Sequence, residues 1–179
     1  MRKVILNIAM SLDGYIAGPK GEFDWLYTDQ DYGLKDFFSR TDAALIGRKT
    51  YDVMVEMGGP LNPGMRNYVF SRSRSHKKRK NVLFVSGNIA TFVKDLKAQD
   101  GKDIWLVGGA DLVHSFLELD LIDEMILSVH PIVLGRGIPL FQKSGRRYGF
   151  ELIGSRSYST GLVQLHYGRQ WLEKPRPAA

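Results

Sequence analysis

The stretch Ile104 to Phe116, IWLVGGADLVHSF, restricts the fold more than any other part of this chain. Ile104 to Val107 are apolar and partly β-branched, which suits a short buried strand; Gly108 and Gly109 then turn the chain, and Leu112, Val113, Phe116 and Leu117 share one stripe of a following helix. A strand, a glycine pair and a helix start leave the first helical N–H groups without intrahelical partners, beside a turn that carries no side chains. A phosphate or pyrophosphate satisfies such groups, assisted by the helix dipole. Glycine pairs also end strands for geometric reasons alone, so the motif by itself leaves both readings open.

A second junction of the same kind comes earlier. Asp42 to Gly47 reads as a short strand with a glycine exit, and Arg48, Lys49 and Thr50 open a helix whose inner face is Tyr51, Met54 and Val55. Tyr68 to Phe70 is a further strand ending in Ser71-Arg72-Ser73, where hydroxyls and a guanidinium suit a phosphomonoester. Two such junctions strengthen the case for a phosphate-rich ligand. Neither the G-x-G-x-x-G dinucleotide fingerprint nor the Gly-Lys-Ser/Thr phosphate loop is present, so neither of those mechanisms applies.

The remaining segments complete an α/β pattern. Val4 to Ala9 is a nearly continuous apolar run, as expected of a strand buried on both faces. The periodicity predicts a helix over Tyr32 to Arg40, a strand at Val82 to Val85, a helix with Phe92, Val93 and Leu96 inward, and a strand at Met125 to Val129. Phe150 to Ile153 and Leu162 to Tyr167 predict paired antiparallel strands. The fold class is therefore a mostly parallel central sheet flanked by helices, with an antiparallel C-terminal hairpin; residues 1–170 are expected to form one domain and 171–179 a fraying tail. In such a sheet the phosphate-binding turns gather outside the strand carboxyl ends.

Composition narrows the chemistry. With no cysteine there is no thiolate nucleophile, disulfide or cysteine metal site, and the histidines at 76, 114, 130 and 166 lack metal-site spacing. No metal is expected. The apolar run at Val4 to Met10 is too short to span a membrane, so a cytoplasmic, non-membrane protein is expected. The net charge of +6 favours anionic partners without choosing among them. Arg72, Arg74, Lys77, Lys78, Arg79 and Lys80 form a run that reads as a solvated connection, and no aromatic platform interleaves with it, so nucleic acid is not expected as a partner.

Three acidic or basic side chains remain open. Asp13 either caps its Asp-Gly turn or orients or protonates a substrate nitrogen at the end of the first strand. Asp31 flanks the first helix, where solvent exposure and approach to a pocket are both consistent with its position. His130 serves either as an acid or, without a visible partner, as a structurally satisfied ring.

Taken together, Met10-Ser-Leu-Asp-Gly-Tyr-Ile-Ala17, Leu45-Ile-Gly-Arg-Lys-Thr-Tyr51, Ser71-Arg-Ser73, Leu106-Val-Gly-Gly-Ala-Asp111 and His130 to Phe141 resemble the dihydrofolate-reductase-like superfamily. The similarity is greatest to its branch related to the C-terminal reductase domain of the bifunctional riboflavin-pathway deaminase/reductase. The resemblance implies NADPH as cofactor, with Arg48 and the Ser71, Arg72, Ser73 turn near the adenosine 2′-phosphate. It places Lys49 and Thr50 near the pyrophosphate, and Gly108, Gly109 and Ala110 at the other pyrophosphate-binding helix start. It assigns Asp13 to the substrate side, assisting proton transfer or orienting a sugar. The implied reaction resembles 5-amino-6-(5-phosphoribosylamino)uracil reduction, a hydride transfer to a heterocyclic or phosphorylated sugar-linked acceptor by a homodimer. No deaminase signature is present, so only the reductase step is expected. Dihydrofolate reduction is the alternative in the same class; it needs a carboxylate on the first helix, and counting back from Gly47-Arg48 reaches Asp31 whereas aligning Phe38 reaches Leu34. A non-catalytic nucleotide-binding regulator is the alternative from another class.

Overall fold

A computed structural model describes residues 1–58, 62, 64–72 and 79–170 of the chain. Ser73, the bases Arg74, Lys77 and Lys78, and the tail at 171–179 lie outside the described residues. Strand β1 (Val4–Ser11) runs through the middle of an eight-stranded sheet, and its residues Val4, Ile5 and Leu6 are wholly buried, as the unbroken apolar run requires. Strand β2 (Tyr15–Ala17) follows at once, then helix α1 (Leu34–Ser39), strand β3 (Thr41–Gly47), helix α2 (Arg48–Glu56), and strands β4 (Arg66–Phe70) and β5 (Val82–Val85). Helix α3 (Ile89–Ala98), strand β6 (Asp103–Gly108), helix α4 (Ala110–Glu118) and strand β7 (Glu124–His130) lead to the short β8 (Ile138–Pro139) and the hairpin β9 (Gly149–Ser157) and β10 (Val163–Gln170).

The sheet order is β5-β4-β3-β6-β1-β7-β10-β9. All pairings from β5 to β7 are parallel, while β10 runs antiparallel to both β7 and β9. The mostly parallel α/β fold and the antiparallel finish follow the sequence pattern. One face is filled by Leu6, Leu45, Ile104 and Leu106 against Val93 and Leu96 of α3 and Val113 and Phe116 of α4. The other carries Ala44, Ile46 and Val69 against Tyr51 of α2, with Trp105 packed there as well. Phe37 and Phe38 of α1 reach Trp105 at ring separations of 5.8 and 5.4 Å, so α1 and α2 share that face.

Several boundaries move for identifiable reasons. Helix α1 begins at Leu34 instead of Tyr32, because Tyr32 and Gly33 both adopt left-handed backbone at φ 50 and 78. Strand β1 continues past Ala9 because Ser11 still pairs with His130 of β7. The Ile132 to Leu134 run is not a strand; the Ile132 carbonyl instead accepts the Leu12 N–H at 2.8 Å. The β2·β8 pair has no counterpart in the hydropathy pattern. It forms where Gly137 lies against the Ala17 carbonyl, closer than any Cβ allows.

At the amino ends of the strands lies a connected set of charges. Glu124, with a side chain 6% exposed, accepts from Lys3 Nζ at 2.6 Å and Arg40 Nη2 at 3.3 Å, and its Oε2 lies 2.9 Å from His166 Nε2. Burial opposes its ionisation, but the hydrogen bonds from Lys3 and His166 and the charges of Lys3 and Arg40 outweigh it and hold the carboxyl below its ordinary range. Beside it Asp123 pairs with Lys97 at 2.7 Å and accepts the Val4 N–H at 2.7 Å, and Arg2 pairs with Asp42. Because the folded-state pKa of Glu124 is depressed, its contribution is present above about pH 4.3 and is lost as pH falls through the folded value. We expect Glu124→Gln to lower stability by about 2–3 kcal/mol at neutral pH, less than a fully buried pair because Lys3 reaches solvent. Denaturant titrations at several pH values should show the gap between the variant and the wild type closing under acid conditions.

Candidate active site

Strands β3 and β6 are neighbours, yet their connections leave in opposite directions, α2 toward β4 and α4 across β1 toward β7. That is a topological switch point, where a crevice opens outside the strand carboxyl ends. The two strand–glycine–helix junctions of the sequence meet there. Ile46 is in register with Gly108, and a Cβ on Gly47 would stand 3.1 Å from the Gly108 carbonyl oxygen and 3.2 Å from the Gly109 nitrogen. A Cβ on Gly109 would stand 3.0 Å from Thr50 Oγ1. The Gly47 backbone lies this close to the neighbouring peptide because the position lacks a side chain. Gly108 has φ 106, a second reason for glycine, and the Gly108–Gly109 peptide is cis. The helices start from Gly47 and Gly109 without side-chain caps, so two helix starts face the same point from opposite sides of the sheet.

Cations surround this point. Arg48, the first residue of α2, donates from Nε to both Asp52 carboxylate oxygens at 2.9 Å, and its guanidinium carbon lies 5.9 Å from the ring centres of Tyr51 and of Phe84 on β5. Its head group is thereby aimed toward the β4 and β5 ends. Ser71 is fixed on the same side by its N–H, which donates to the Val85 carbonyl at 3.0 Å, and exposed Arg72 follows it. Lys49 lies nearer α4, with Nζ 3.3 Å from Asp111 Oδ2. Arg48, Lys49, Thr50, Ser71, Arg72, Gly108, Gly109 and Ala110 thus all belong to the carboxyl-end crevice and its rim.

Asp13 lies at the end of β1. Its carboxylate accepts from Ser11 Oγ at 2.6 Å, the Leu134 N–H at 3.1 Å and the Gly135 N–H at 2.7 Å. The Ser11 hydroxyl, and after it the two amides, hold the carboxyl below the ordinary carboxylate range. It is an ionised brace joining the loop after β1 to the loop after β7. Asp31 accepts the Lys35 N–H at 3.1 Å, ahead of α1, and Leu34 occupies the first helical position.

His130 is only 3% exposed and both ring nitrogens are used, Nδ1 donating to the Ser128 carbonyl at 3.1 Å and Nε2 accepting the Tyr27 N–H at 3.2 Å. Trp25 stands edge-on to the ring at 5.2 Å and Tyr27 lies at 5.0 Å. The neutral ring is therefore a latch for the aromatic loop. Sequence reasoning passed over two residues at the crevice, Asp111 and Gln142, whose side chains meet at 2.7 Å. Asp111 was legible as a carboxylate at a helix start expected to favour an anion; Gln142 carried no signal.

Among the described residues no cluster of metal-ligating side chains occurs, and no helix is long and apolar enough to cross a membrane. The architecture defines the dihydrofolate-reductase-like class of α/β fold. Within it, residues 2–164 match the RibD C-terminal domain, and the chain belongs to that family. It is 39% identical over 179 residues to the uncharacterized protein YyaP of Bacillus subtilis (strain 168), covering 93% of this chain and 94% of that protein. A Shewanella sp. PV-4 protein assigned to riboflavin biosynthesis superposes with a TM-score of 0.85 at 31% identity, covering 94% of this chain and 99% of that one. A Thermotoga maritima diaminohydroxyphosphoribosylaminopyrimidine deaminase/5-amino-6-(5-phosphoribosylamino)uracil reductase shares the fold at a TM-score of 0.73 and 16% identity, over 94% of this chain and 57% of that chain. An Enterococcus faecalis dihydrofolate reductase complexed with NADP(H) shares the fold at a TM-score of 0.70 and 16% identity, over 93% of this chain and 96% of that one.

Burial pushes the His130 pKa down, only partly opposed by the Ser128 hydrogen bond. A depressed histidine pKa means that the latch is intact above the free value of about 6.5 and weakens as pH falls below it. Fluorescence of Trp25, followed in a variant in which the other tryptophans are phenylalanine, should change across that range. His130→Gln, which cannot titrate, should remove the transition.

Proposed function

We propose that this chain is an NADPH-dependent reductase acting on a sugar-linked or heterocyclic imine-type acceptor, in the manner of 5-amino-6-(5-phosphoribosylamino)uracil reduction. The observation that carries the reading is the meeting of two uncapped helix starts at Gly47 and Gly109, with cations beside them. The fit to a dinucleotide is specific. Backbone without side chains at Gly47, Gly108 and Gly109 keeps both helix starts open to a pyrophosphate, since a Cβ on Gly47 would press on the Gly108–Gly109 peptide and one on Gly109 would meet the Thr50 hydroxyl. In this reading Lys49, Thr50 and Ala110 hold the pyrophosphate, while Arg48, Ser71 and Arg72, together with Ser73, hold the adenosine 2′-phosphate. When bound, NADPH supplies the hydride.

The chain's own residues then handle the acceptor. Asp13 is ionised and fixed by three donors, so it supplies a permanent negative charge that orients a sugar hydroxyl or a protonated nitrogen at the end of β1. The same charge stabilises an iminium-like acceptor as its proton is held. The neutral His130 latch keeps Trp25 and Tyr27 in place over the end of β7 and limits water there. The position of Asp31 ahead of α1, with Leu34 on it, favours a pyrimidine-type acceptor over dihydrofolate, which calls for a carboxylate on the helix. Function as a homodimer belongs to the same reading.

Titration with NADPH and NADH at fixed ionic strength, followed by turnover on a panel of ribosylamino-pyrimidines and pterins, tests the proposal. Arg48→Ala should weaken NADPH about 10- to 100-fold through loss of charged hydrogen bonds of about 1.5–3 kcal/mol, while leaving NADH nearly unchanged. Equal loss for both cofactors would place Arg48 away from the 2′-phosphate. In the substrate screen Asp13→Asn should lower kcat about 100-fold with little change in NADPH affinity, as measured by stopped-flow loss of nicotinamide absorbance.

A further inference from the structure

The carboxylate of Asp111 occupies an unusual place. Asp111 is the second residue of α4, and its Oδ2 lies 3.3 Å from Lys49 Nζ while Oδ1 accepts the Gln142 amide at 2.7 Å. The Gln142 and Lys49 hydrogen bonds, in that order, together with the charges of Lys49 and Arg72, hold it ionised below the ordinary carboxylate range. A fixed negative charge therefore stands where the first turn of α4 favours an anion, among cations expected to receive one from outside.

We propose that Asp111 is a built-in counter-ion of the dinucleotide site, setting cofactor affinity by competing with the cofactor phosphates for Lys49. The inference rests on the reading of this crevice as a dinucleotide site. Without cofactor, Lys49 is neutralised by Asp111. When a pyrophosphate arrives Lys49 exchanges partners, and Asp111 stays nearby because the neutral Gln142 donor still holds its other oxygen. Both members of the Lys49 pair are exposed, at 92% and 74%, so the exchange trims affinity without blocking it. Gln142 also ties this carboxylate to the acceptor side: two residues earlier, the Leu140 N–H donates to the Gly14 carbonyl at 2.9 Å, next to Asp13.

Asp111→Asn separates charge from shape, since an asparagine oxygen still accepts from Gln142. The dissociation constant of NADPH should tighten about fivefold at about 0.01 M ionic strength, where the screening length is about 30 Å. Near 1 M salt, with screening at about 3 Å, the variant and wild type should converge. In a Lys49→Ala background the same substitution should give a smaller gain, because the competition for Lys49 is gone. A variant that binds NADPH equally or more weakly at low salt overturns the proposal; weaker binding would make Asp111 a direct acceptor for a cofactor hydroxyl. A gain that persists unchanged at high salt also overturns it, by showing a structural effect. Failure of the wild type to bind NADPH under either condition would instead remove the dinucleotide reading, and this inference with it.

Discussion

Everything at the carboxyl end of this sheet depends on the contact between the Gly47 backbone and the Gly108–Gly109 peptide. A side chain on Gly47 would press on the Gly108–Gly109 peptide, so the ends of β3 and β6, from which α2 and α4 start, could not lie this close. The contact is between strands distant in sequence, and it brings two separate glycine turns, each an ordinary way to end a strand, to one point at the carboxyl end of the sheet. The cations are arranged around it by neighbours: Arg48 by Asp52 and two aromatic rings, Lys49 by Asp111.

The two ends of the sheet solve opposite problems. At the amino ends, charges are matched internally, with Glu124 shared by Lys3, Arg40 and His166 and Asp123 paired with Lys97. At the carboxyl ends, two helix starts without side-chain caps lie beside exposed ion pairs, and the loops are held by single well-placed acceptors, Asp13 for the 134–135 turn and His130 for the aromatic loop.

The parallel core, its flanking helices and the closing hairpin were readable from the sequence because most core strands are short apolar runs between turn residues, and each helix has a single apolar stripe. The glycine junctions and their cations were readable too, since both carry their own local chemistry. What sequence could not show was adjacency. Nothing in the residues near 47 states that β6 will slot beside β3, so the closeness of Gly47 to Gly109 emerges only in three dimensions. The β2·β8 pair and the Gln142 contact escaped for the same reason, being made by residues more than a hundred positions or some thirty positions apart with no periodic signature. Asp13 and Asp31 were visible as carboxylates, but their partners, which fix their direction, were not.

The order of the strands has a consequence for how the chain assembles. Strand β1 finds its neighbours only in β6 and β7, so Val4 waits for Ile104 and Ser11 for His130. During synthesis the buried strand β1 precedes both of its partners, and its two edges stay unpaired until β6 and β7 have followed it. Such long-range closure slows folding and leaves a sticky strand exposed meanwhile. The nascent chain is thus most vulnerable to aggregation before β6 appears, and truncations that end ahead of residue 103 forfeit the centre of the sheet along with the junction at Gly108 and Gly109.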